Sequence, residues 1–102
     1  MSNKYNGWTN YETWNFNLWI TNEESDYDFA LEMAFDCQNE YELSKRLEEW
    51  VSDRADDCIG NVGGFIVDMI YNSIKQVNFY EVAEHLWEDR QEAIRVHDEE
   101  EE

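Results

Sequence analysis

The sequence predicts an all-α fold: one compact domain of about five short helices with an acidic C-terminal tail. Three observations predict it. Apolar residues recur at helical spacing nearly throughout, and no stretch alternates convincingly with period two. The 102 residues contain no proline and only four glycines, so little interrupts a helix. Four segments open with a capping box, in which a short polar residue and a carboxylate three positions later satisfy each other's backbone donors. The length fits one domain, which we place at residues 1–97, with 98–102 as the tail.

The first box is TNYE, Thr9 with Glu12. The helix it starts carries Tyr11, Trp14, Leu18 and Trp19 near one stripe, expected to face the core. Trp8 and Phe16 fall off that stripe, at the core's edge or on a partner surface. The second box is SDYD, Ser25 with Asp28, a weaker version. Tyr27, Ala30, Leu31 and Ala34 share a face behind it. NEYE, Asn39 with Glu42, starts a third helix with Leu43, Leu47, Trp50 and Val51 on one side. The loop IGNVGG follows. Next comes FIVDMIYNSIKQV, residues 65–77, nearly continuously apolar, with Ile66, Ile70 and Ile74 on one stripe. This segment reads as a central buried helix, although Phe, Ile and Val at 65–67 would also suit the start of a strand. The last box is NFYE, Asn78 with Glu81, and its helix carries Phe79, Val82, Leu86, Trp87, Ala93 and Ile94. HDEEEE closes the chain as a solvated acidic run.

Charge bounds function more tightly than any motif. There are 25 Asp and Glu against 7 Lys and Arg, a net charge of −18. A field of that sign repels nucleic acid and anionic membrane surfaces, so direct binding to either is not expected. Basic protein surfaces are the natural partners, and most of those are basic because they hold nucleic acid. The N-terminus has no apolar signal region, and no run approaches 18 apolar residues. The expected location is the cytoplasm.

Familiar chemistry is missing. Cys37 and Cys58 lie outside any metal-ligand spacing and read as reduced, partly buried thiols. His85 and His97 have no Cys or His at ligand spacing, and the alternating Asp and Asn of a calcium loop do not occur. The Gly60–Gly64 loop lacks the GK[ST] ending of a phosphate loop. No cofactor, metal or catalytic residue is expected, and the chain does not read as an enzyme.

The acidic faces are the candidate site. Glu81, Glu84, Glu88 and Glu92 recur every three or four residues in the last helix, about 5–6 Å apart. The third helix adds Glu48, Glu49, Asp53, Asp56 and Asp57. The second adds Asp28, Glu32 and Asp36. Like charges at i,i+4 cost a helix about 0.2–0.5 kcal/mol per pair, so local stability does not account for the pattern. A domain of this size is expected to span about 30 Å. Duplex DNA of that length carries roughly 18 charges.

The segment NGWTNYETWNFNLWITN, residues 6–22, resembles the opening of a group of small acidic proteins encoded by bacteriophages and plasmids. Their shared feature is a GWTNYETW-like start followed by an LW pair, here Leu18 and Trp19. In composition the whole chain is similar to phage antirestriction proteins that mimic DNA, which are small, helical, rich in Asp and Glu and often dimeric. That resemblance implies a partner class: restriction-modification enzymes, other host defence nucleases or host DNA-binding regulators.

The reading is therefore a phage- or plasmid-encoded nucleic-acid mimic. It would occlude the DNA- or RNA-binding surface of a basic host protein, as an antirestriction or anti-CRISPR inhibitor does. An exposed aromatic such as Trp8 would add an apolar anchor. The alternative is an acidic adaptor that binds a host enzyme at a site unrelated to nucleic acid. The aromatic content is also compatible with a homodimer, since large exposed apolar patches seldom persist in a monomer.

Overall fold

The computed structural model describes residues 5–60 and 63–100. Five helices follow one another: α1 (Tyr11–Asn22), α2 (Glu24–Asp36), α3 (Glu40–Ile59), α4 (Phe65–Gln76) and α5 (Phe79–Glu100). The fold is all-α, as expected. The described residues form no strand, only an isolated bridge between Tyr5 and Trp8. Asn6 and Gly7 make that bridge, with φ of 49° and 89°. Asn and Gly are the residues that best tolerate this left-handed turn. The middle of the IGNVGG loop and the last two glutamates lie outside the described residues.

The helix starts follow the polar signals, with shifts. Asn39 caps α3 as expected, its side chain accepting from the Glu42 N–H at 2.8 Å. Asn78 accepts from the Glu81 N–H at 3.1 Å at the head of α5. The cap of α1 is Asn10, not Thr9. Its Oδ1 accepts from both the backbone N–H and the hydroxyl of Thr13, at 2.9 and 2.6 Å. The Ser25 box is not used. Glu23 alone separates α1 from α2, and Ser25 already lies within α2. α5 runs on through Asp98 and Glu99, so the acidic run begins inside the helix. Arg95 supports this end by donating to Glu99 at 2.8 Å and to Glu92.

The core lies between α2, α3 and α5, with α1 covering it. α3 and α5 pack most extensively. Leu43 and Leu47 of α3 meet Val82, Ala83 and Leu86 of α5 in a cluster closed by Ala30, Met33 and Ala34 of α2 and Ile20 of α1. Arg90 ties α2 to α5. Its Nε donates to the Ala34 carbonyl near the end of α2 at 3.0 Å, and its guanidinium lies 4.3 Å from the Trp87 ring.

Two expectations about the core are corrected. In α1 the buried side is Thr13 and Ile20, with Phe16 packed between them against Phe79 at 5.5 Å. The stripe of Tyr11, Trp14, Leu18 and Trp19 points the other way, and Trp19 is 61% exposed. α1 is apolar on two sides. Its core side is the one with the small Thr13 where α1 comes closest to the start of α5.

The second correction concerns α4. It has no buried residue, and Phe65, Ile66 and Met69 are 74%, 59% and 63% exposed. It leans on α1 and α3 but makes no comparable contact with α2 or α5. Only Ile74, with the following Val77, packs against the core's margin.

The radius of gyration is 15.4 Å and the extents are 57 × 38 × 23 Å. A compact chain of this length would have a radius near about 13 Å. The molecule is elongated.

Candidate docking surfaces

The acidic rows are built by helix geometry. α5 spans about 33 Å at about 1.5 Å per residue. Val82, Ala83 and Leu86 are buried on one side, which turns Glu84, Glu88 and Glu92 to solvent on the other. Glu81 stands at the head of this row but is partly engaged, accepting from the Thr9 N–H at 2.9 Å. Glu92 is paired with Arg95, which leaves Glu84 and Glu88 as the least compensated members.

On α3, Glu48, Glu49, Asp53, Asp56 and Asp57 are all exposed. Glu48 lies 3.9 Å from the Lys45 ammonium. Asp56 accepts a hydrogen bond from the Tyr71 hydroxyl, which joins α3 to α4 and raises the titration of that phenol above its ordinary range. Asp28, Glu32 and Asp36 of α2 are exposed as well. α3 and α5 pack through their buried sides, so their acidic rows face away from that contact. The nine candidate carboxylates of α3 and α5 form two outward faces, not one sheet of charge.

The charge density differs from the expectation as well. Eighteen net charges along a 57 Å axis give about one per 3 Å. A DNA duplex carries one per about 1.7 Å and each of its strands one per about 3.4 Å. The protein has the linear density of a single strand, because it is longer than a compact domain of its size.

The aromatic opening sorts into two roles. GWTNYETW, residues 7–14, closes the fold. Gly7 makes the turn, and the Trp8 ring lies 4.3 Å from His85 of α5. Tyr5, folded back by the turn, meets Trp14 at 4.9 Å and Tyr11 at 5.3 Å. Thr9, Asn10 and Thr13 tie α1 to the α4–α5 junction. The Asn78 N–H donates to Thr13 Oγ1 at 2.8 Å, Asn78 Nδ2 donates to Thr9 Oγ1 at 3.2 Å, and Asn10 Nδ2 donates to the Gln76 carbonyl at 2.7 Å. Trp8 is half-buried in this arrangement and is not the free anchor expected.

Trp19 is the exposed tryptophan. It stands between two open clefts. One, about 290 Å³, runs between α1 and α3 and is lined by Phe16, Trp50, Val51 and Cys58. The other, about 320 Å³, runs between α1 and α4 and is lined by Tyr11, Ile74 and Val77. Both lie at the lower end of the size range of ligand sites and are open to solvent. Cys58 is exposed at the first, which corrects its expected burial, whereas Cys37 is buried. Among the described residues no group of His, Cys, Asp and Glu is placed to hold a metal ion, and no described helix is long and apolar enough to cross a membrane.

Sequence reasoning missed Trp19 and the α4 face. The available signal for α4 was its charge. One aspartate and one lysine leave it, alone among the described helices, without a negative balance.

A family model matches residues 1–95, that of a family of unknown function, DUF7249. No curated protein and no solved structure matches the chain.

Proposed function

The chain belongs to that family of unknown function, and we propose that it is an acidic decoy, carried by a phage or plasmid, that occupies the nucleic-acid-binding surface of a basic host protein. The observation that carries the reading is the α5 row. Glu84, Glu88 and Glu92 stand in solvent at regular spacing on a helix anchored to the core on its other side. A cationic groove that releases counterions to a phosphate strand would release them to this row as well. The mechanism is competitive occlusion, with no bond made or broken. Opposite charges steer the encounter, so association is fast and slows steeply with salt.

A second reading has its own observation. Trp19 stands exposed between two apolar clefts, as an anchor for an adaptor's partner would. The two readings differ in what competes. The test is capture from bacterial lysate with the tagged protein at about 0.1 M and about 1 M salt, since about 1 M shortens the screening length to about 3 Å. Nucleic-acid-binding proteins that are retained at low salt and displaced by duplex or single-stranded DNA support the decoy. A partner that survives both high salt and DNA overturns it in favour of the adaptor.

A further inference from the structure

We propose that the outer face of α4 is a self-association surface whose occupant is a second copy of this chain. The first half of the face is apolar and unpartnered, and its second half carries the uncompensated polar side chains Asn72 and Gln76 beside Lys75. Phe65, Ile66 and Met69 are each more than half exposed, and no residue of the helix is fully buried. At these exposures the three side chains offer on the order of 400 Å² of apolar surface. That is a patch of the size that marks a contact site on a monomer. It is about half of the roughly 800 Å² that each partner buries in a standard interface.

Charge decides the occupant. The molecule carries −18, and α2, α3 and α5 each hold an excess of carboxylates. Any approach of two copies through those faces is repelled. α4 is the exception, with Asp68 and Lys75 cancelling. It is the helix on which a second, equally acidic copy meets no local repulsion. A basic partner of the kind drawn to the α5 row finds no attracting charge there. A two-fold contact also lets one patch serve both copies, because an isologous interface is self-complementary.

The salt dependence is then opposite to that of decoy binding. Added salt screens the repulsion between two bodies of charge −18 and leaves apolar contact intact. The test is sedimentation of the purified full chain across concentration at about 0.1 M and about 1 M sodium chloride. A monomer–dimer equilibrium that tightens by roughly tenfold or more at the higher salt is expected. Ile66→Gln together with Met69→Gln should weaken it by on the order of a hundredfold, because both side chains sit in the proposed contact. Their exposure in the monomer predicts an unchanged helical circular dichroism spectrum.

A chain that stays monomeric at both salts overturns the proposal and leaves the face to a foreign apolar partner. A dimer that persists undiminished in the double variant overturns it too, by placing the contact elsewhere. Neither result depends on whether the acidic rows bind a nucleic-acid-binding protein.

Discussion

Thr13 shows how much of the fold rests on single side chains. It is fully buried, donates to Asn10 and accepts from the Asn78 N–H. Thr13→Val keeps the shape and removes both bonds, leaving the Asn78 N–H without its acceptor. The expected cost is about 1–3 kcal/mol, or a fall in melting temperature of several degrees by thermal circular dichroism. An unchanged melting curve would mean that water replaces the hydroxyl. Tyr27 makes a prediction in pH. Partial burial, the hydrogen bond it donates to Asp89 at 2.8 Å and the charges of Asp89 and Asp28 push its phenol up to about 12. A raised phenol stabilises the fold fully below pH 10 and loses that contribution as pH climbs towards about 12. Ultraviolet titration of tyrosinate should show late titration from Tyr27 and Tyr71, which Tyr27→Phe reduces by one group. A titration complete near the ordinary value would remove Tyr27 from that contact.

At the scale of elements, charge and burial separate cleanly along α5. Replacing Glu84, Glu88 and Glu92 with Lys alters a solvent-facing row and leaves Val82, Ala83 and Leu86 in place. Surface changes of this kind usually move stability by no more than about 0.5 kcal/mol each. Binding to a basic partner should fall by far more, measured by titration calorimetry beside thermal melting. Equal affinity in the triple variant would take the α5 row out of the docking surface.

How legible each helix was depends on how its apolar residues are distributed. α2, α3 and α5 carry one apolar side against a charged one, so Ala30, Leu43, Leu47, Val82 and Leu86 were readable as core from spacing alone. α1 spreads its aromatics round the helix, so periodicity cannot choose a side for it, whereas α4 has a marked apolar side, that of Val67, Tyr71 and Ile74, which the fold covers only in part. In α1 the choice fell to the hydrogen bonds of Asn10, Thr13 and Asn78, the last two of which join residues 65 positions apart. No local pattern contains such a contact. In α4 the apolar run was read as burial, although few neighbours reach it. The carboxylates of the candidate site were legible as exposed. Their division into two outward faces depends on the packing of α3 against α5.

Across the whole molecule, a net charge of −18 sets the outer faces of the helices against one another. Four ion pairs link described residues, and all but the Arg54–Asp26 pair lie within one helix. Between α2, α3 and α5, long-range repulsion is therefore only weakly offset. Raising salt from about 0.05 to about 0.5 M shortens the screening length from well over about 10 Å to about 4 Å. The melting temperature should rise by several degrees over that range. A melting temperature indifferent to salt would mean that the charges lie too far apart to act on one another.

The tie between the two ends of the fold also governs when the protein can form. Thr9 closes on Glu81, 72 positions later. During synthesis the aromatic segment emerges well before the residues it closes on. α1 can pack on α2 early, but its polar tie cannot close until the start of α5 has left the ribosome, because Asn78 and Glu81 supply it. Sequence-distant contacts of this kind slow folding. The nascent chain therefore spends most of its translation with Trp8 and Phe16 without their ring partners His85 and Phe79. The carboxylates that repel mature copies from one another would keep such unfinished chains apart on a crowded polysome.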